Sequence, residues 1–166
     1  MEEFKTESLT HEELLQKTIS FATQNIEKAG GPFGALIARN GIIVATGCNR
    51  VTIDHDPTAH AEVNAIREAC KKLGTFDLTG YDIYTSCEPC PMCLSAIYWA
   101  HLDRIFYAAS QKDAAKVGFD DSFIYHEISL PVAKRAIPMQ TLATFTDAEA
   151  TLPFDIWEKK VDKTKY

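Results

Sequence analysis

Cys87, Cys90 and Cys93 fall within seven residues, and His60-Ala61-Glu62 precedes them in the chain. This grouping constrains the fold more than any other feature. Thiol and imidazole groups that share a metal draw separate stretches of chain to one point. The chain has five cysteines, an odd number, and the other two are Cys48 and Cys70. An odd, clustered set argues against a disulfide framework and for metal chemistry in a reducing compartment. Cys48 and Cys70 are expected in the core.

The spacing has a local rationale. Pro91 suits the first position of a helix. Cys90 then stands at the N-cap and Cys93 at N3, and side chains at those positions converge as in a capping box. The start of a helix also favours thiolate over thiol. His60 stands at the start of a second expected helix. One imidazole and two thiolates leave the fourth position of a tetrahedral zinc open to water, and sulfur ligands favour Zn2+ over harder ions. Zinc-bound hydroxide, available near pH 7, is then the nucleophile. Glu62, two residues from His60, serves as general acid–base. Two other readings stay open on the residues alone. Cys87 and Cys90 could form the ligand pair, or all three cysteines and His60 could close a structural site that leaves Glu62 without a task.

The remaining pattern is that of one α/β domain over residues 1–166. Thr10 and Glu13 form a capping box ahead of Leu14, Leu15, Ile19, Ala22 and Ile26 at helical spacing. Gly30-Gly31 ends that helix. Phe33 to Arg39 and Ile42 to Gly47 read as strands joined by the hairpin pair Asn40-Gly41. His60 to Leu73 and Pro91 to Ala100 read as helices, and Tyr81 to Ser86 and Arg104 to Ala109 as strands. Phe119 to Glu127 has no clear period. Pro131 to Ala136 reads as a short helix, Pro138 to Leu142 as a last strand, and Asp147 to Lys160 as a helix interrupted at Pro153. Alternating elements with one hairpin imply a mixed central sheet with helices on both faces.

Composition narrows the function. With 46% apolar residues the chain can build one sizeable core. Its net charge is −6, from 17 Lys and Arg against 23 Asp and Glu. Such a balance argues against broad binding to nucleic acid or anionic membrane. No apolar run reaches the roughly 20 residues of a bilayer span. Met1 to Thr10 is polar and acidic and does not read as a secretory signal, so a cytoplasmic location is expected.

His60-Ala61-Glu62 with Pro89-Cys90-Pro91-Met92-Cys93 resembles the signature of the zinc nucleobase deaminases, in which the Glu is a non-ligand acid–base. Four longer blocks are similar to the bacterial guanine deaminase family. They are Gly31 to Ala35, Asp56 to Val63, Tyr84 to Cys93 and Gly118 to Tyr125. The resemblance implies a cytidine-deaminase-like three-layer α/β/α fold and hydrolysis of guanine to xanthine and ammonia. It implies that Asn49 hydrogen-bonds the base, that Phe33 and Trp99 line the pocket, and that the backbone at Ala61 contacts the base beside the metal. It further implies that Asp121 helps move protons near the amine. A homodimer follows from the same resemblance. In it the C-terminal segment, about residues 145–166, is exchanged, and Tyr166 closes the partner's site. Read from the residues alone, Asn49 also fits a turn, Asp121 a solvated loop, and Phe33 and Trp99 the core. Other amino-heterocycles (guanosine, an aminotriazine such as ammeline, or cytosine) are the competing substrates. A non-catalytic zinc domain is the competing class.

Overall fold

The structure, a computed structural model, describes residues 8–142 and 144–165. Residues up to Ser122 form one compact unit and those from Phe123 a second. In the first unit, α1 (His11–Glu27) opens with the expected capping box. Thr10 Oγ1 accepts from the Glu13 N–H at 3.2 Å, and the Glu13 carboxylate accepts from the Thr10 N–H at 2.8 Å. β1 (Gly34–Arg39) and β2 (Ile42–Cys48) follow as a hairpin. Asn40 and Gly41 turn it with φ of 52° and 78°, the left-handed pair that a two-residue hairpin turn requires. Then come α2 (Val51–Asp54), α3 (Ala61–Leu73), β3 (Asp82–Cys87), α4 (Pro91–Trp99), β4 (Arg104–Ala109) and α5 (Gln111–Ala115).

The four strands lie in the order β2-β1-β3-β4. β1 is antiparallel to both β2 and β3, while β3 and β4 are parallel. The sheet is therefore mixed, as expected. One consequence governs the site. β2, β3 and β4 all run the same way, so their C-terminal ends share one edge with the start of β1. The register places Gly34 beside Cys48 and Cys87 beside Ala109 along that edge.

Side-chain alternation divides the core between the two faces of the sheet. Leu36 and Ala38 of β1 pack with Leu14 of α1 and with Tyr84. Ala35 and Ile37 point the other way, onto Ala61, Ala65 and Ala69 of α3 and Ile97 of α4. This gives three layers. The alanine face of α3 lets it lie directly on β2: a Cβ at Gly47 would fall 2.2 Å from the Ala61 carbonyl oxygen. Across β3 and β4, Arg104 pairs with its register partner Asp82 through two bonds of 2.8 and 2.6 Å. Leu14 is 1% exposed. Leu14→Ala should cost about 2–5 kcal/mol in a urea titration, through lost burial and the cavity left behind.

The second unit holds α6 (Ser122–Ser129, begun one residue earlier), a 3-10 turn at Val132–Lys134, and α7 (Asp147–Lys159). Two expectations are corrected here. Pro138 to Leu142 forms no strand; Pro138 cannot donate to a ladder, which bars it from a central strand. Pro153 does not interrupt α7, which runs through it. A proline removes one helical hydrogen bond, and on this exposed helix water can satisfy the freed carbonyl. The indeterminate stretch before Glu127 is helical from Ser122, whose N–H donates to Asp120 Oδ1 at 2.9 Å. None of the described residues from Phe123 onward is buried.

Candidate metal centre and pocket

His60 is the N-cap of α3 and Cys90 the N-cap of α4, with Pro91 at the first helical position. Neither N-cap side chain caps its own helix. Instead they meet. His60 Nδ1 lies 3.5 Å from Cys90 Sγ and 3.5 Å from Cys93 Sγ. All three candidate ligand atoms lie within 4.8 Å of one another. Bonds of about 2.0–2.1 Å to nitrogen and about 2.3 Å to sulfur, at a tetrahedral angle, separate the two ligands by about 3.6 Å. The donors thus have the chemistry and the spacing that Zn2+ requires.

Protonation supports the same reading. A hydrogen bond from Cys93, aided by His60, holds the Cys90 thiol down to about 4. Cys93 is pushed up, first by that bond to Cys90 and then by burial. A metal takes its cysteine ligands as thiolates, so an ion held here would displace the thiol protons. Cys87 stands apart from this group. Its Sγ faces the Ser110 carbonyl at 3.7 Å, and burial pushes its thiol up to about 11. That disfavours both Cys87–Cys90 as the ligand pair and the closed site with three cysteines.

Glu62 occupies the second position of α3 and is 7% exposed. Burial raises its pKa, and its carboxylate interacts with the Cys93 thiol. A carboxyl group kept out of water beside a metal is suited to carry protons near neutral pH. Ala61 is the first residue of α3 and is 1% exposed; a helix's first N–H groups have no intrahelical partner.

The shared strand edge brings the other candidates to the same side. Asn49 follows β2 and is 7% exposed. Its Oδ1 accepts from the Val51 N–H at 3.3 Å. Its Nδ2 has no acceptor among the described residues and is not sealed from solvent. Phe33 precedes β1 and meets Phe119 edge to face, with ring centroids 4.9 Å apart. Asp121 accepts a hydrogen bond from Gln111 Nε2, and the Gln111 N–H donates to the Glu88 carboxylate at 3.0 Å. Trp99 departs from the group. It ends α4 and is 65% exposed, about 13 Å along the helix axis from Cys90 at 1.5 Å per residue. Tyr166 lies outside the described residues.

Four residues near these groups were not singled out by sequence reasoning for any role: Asn25, Asn64, Gln111 and Phe119. Asn64 Nδ2 donates to the carbonyls of Cys48 at 2.9 Å and Ala59 at 3.2 Å, joining the end of β2 to the residue before His60. Asn25 had a readable signal. It lies on the buried stripe Leu14, Thr18, Ala22, Asn25 of α1, where a polar side chain demands a partner.

The chain belongs to the cytidine and deoxycytidylate deaminase family, whose zinc-binding region matches residues 8–109. Within it, the chain is 50% identical over 159 residues to guanine deaminase of Bacillus subtilis, across 95% of this chain and 100% of that protein. An X-ray structure of that enzyme matches with a TM-score of 0.90, covering 95% of this chain and 99% of the other. Guanine deaminase from Nitrosomonas europaea matches with a TM-score of 0.66 at 32% identity, over 68% of this chain and 66% of that one. The tRNA-specific adenosine deaminase of Aquifex aeolicus is 38% identical over 101 residues, 61% of this chain and 67% of that protein.

Proposed function

We propose that the chain hydrolyses guanine to xanthine and ammonia with Zn2+ held by His60, Cys90 and Cys93. The observation that carries this reading is the likeness to Bacillus subtilis guanine deaminase along 95% of the chain. The buried Glu62 beside a metal-ready triad supports it. When bound, the ion supplies Lewis acidity that makes water a nucleophile near neutral pH. Glu62 takes a proton from the attacking water and gives it to the ring nitrogen next to the reacting carbon; it then takes the remaining proton of the added hydroxyl and passes it to the amine, which leaves as ammonia. Asn49 offers its free amide N–H to an acceptor on the base edge. The Ala61 N–H faces the base, Phe33 with Phe119 walls the pocket, and Asp121, held by Gln111, receives the departing amine.

The partners of this reading are a nucleobase and a second copy of the chain, in the cytoplasm, with no nucleic acid or membrane. A net charge of −6 disfavours binding to the phosphates of nucleic acid or of an anionic membrane. The second unit has exposed Phe154, Ile156 and Trp157 and no buried residue among those described, which supports a partner subunit that covers the segment near 145–166. Tyr166 then closes the partner's site. Among the described residues no helix is long and apolar enough to cross a membrane.

Purified zinc-loaded protein should release ammonia from guanine and not from guanosine, adenine, cytosine or ammeline. Asn49→Ala should weaken guanine use by about tenfold or more in kcat/KM, the loss of one hydrogen bond to the base. Turnover of guanosine or ammeline in place of guanine would overturn the substrate. Silence on every base would favour a non-catalytic zinc domain.

A further inference from the structure

Asn25 stands in the last turn of α1, five residues before the Gly30-Gly31 bend, and is 5% exposed. Its amide nitrogen has two protons to donate. One goes to the Gly31 carbonyl at 2.8 Å and the other to the Asn49 carbonyl at 2.7 Å. These carbonyls belong to different segments, one leading into β1 and one leaving β2. The links continue to Phe33 and Asn49. The Phe33 N–H donates to the Gly31 carbonyl at 2.8 Å, and the Asn49 N–H donates to the Phe33 carbonyl at 3.0 Å. The bend is fitted around this side chain. A Cβ on Gly30 would fall 2.2 Å from Asn25 Nδ2, and one on Gly31 would fall 2.9 Å from Asn49 Oδ1.

From this geometry we infer that Asn25 is a positioning residue for base recognition: its amide sets the distance and angle between Phe33 and Asn49. The inference rests on the proposed roles of those two residues. Asn25 has no bond to His60, Glu62, Cys90 or Cys93, so its loss should spare the metal and the proton carrier. A contact made equally in the bound substrate and in the transition state shows itself in KM, not in kcat. Asn25→Ala removes both donors. Asn25→Asp keeps the shape but sets a carboxylate against two carbonyl oxygens.

Steady-state kinetics at 25 °C with zinc analysis test this. In both variants KM for guanine should rise about tenfold or more while kcat stays within about threefold and zinc content is unchanged. Leu14→Ala, on the same helix, is the control for loss of stability alone and should leave KM near the parent value. If either of these variants does not fold, Asn25→Gln, which keeps both donors but moves them by one methylene, should give the same split. KM near the parent value in whichever of these variants folds, with a lowered unfolding midpoint like that of Leu14→Ala, would make Asn25 a purely structural residue and overturn the inference. Failure of the proposed substrate is read separately, on the parent protein. If the parent deaminates another base, the same split must hold for that base. If it deaminates none, the inference falls with the reading beneath it.

Discussion

Glu62→Gln should retain zinc and lower kcat for guanine by about 10²–10⁴-fold, the usual contribution of a positioned acid–base group. The substitution is nearly isosteric, so the packing around a residue that is 7% exposed should survive. What it removes is the ability to accept and return a proton. The burial that raises the Glu62 pKa is the feature that poises a carboxyl group for both halves of that exchange. KM should change little, because binding is assigned to Asn49, Phe33 and the Ala61 backbone. Zinc analysis separates this outcome from simple loss of the metal. A variant with normal zinc and turnover near that of the parent would remove Glu62 from the proton path.

The elements that sequence reasoning placed best carry strong local rules. The Thr10 capping box, the Asn40-Gly41 hairpin and the Pro91 helix start each depend on a few neighbouring residues, and each is present. The convergence of His60 with Cys90 and Cys93 was legible for the same reason. Cap positions dictate where side chains point, and the structure has them 3.5 Å apart. Less legible was anything set by long-range packing. The strand order, which gathers Phe33, Asn49 and Gln111 on one edge, depends on pairing across the sheet. The bonds of Asn25 to Gly31 and Asn49 join positions up to 24 residues apart, and no local spacing announces them. The expected strand from Pro138 to Leu142 is a run of only five residues. Such a run specifies a strand only where a neighbour offers a ladder.

Cys93→Ser should abolish zinc retention and, with it, activity, while Cys87→Ser should keep both. Cys93 is fully buried and lies 3.5 Å from His60 Nδ1, whereas Cys87 turns its sulfur toward the Ser110 carbonyl. A serine oxygen in place of Sγ is a poor zinc ligand and leaves two donors where three are needed. Metal analysis should fall from about one zinc per chain to below about a tenth, since a structural or catalytic ion is lost when its donor set is broken. The stability consequence has a definite sign. An ion that binds the folded chain and not the unfolded one raises the unfolding midpoint in proportion to its affinity. A strong chelator should therefore lower the midpoint of the parent protein and of Cys87→Ser, and leave that of Cys93→Ser where it already is. Chelator sensitivity in Cys93→Ser, or zinc loss in Cys87→Ser, would move the ligand set to Cys87 and Cys90.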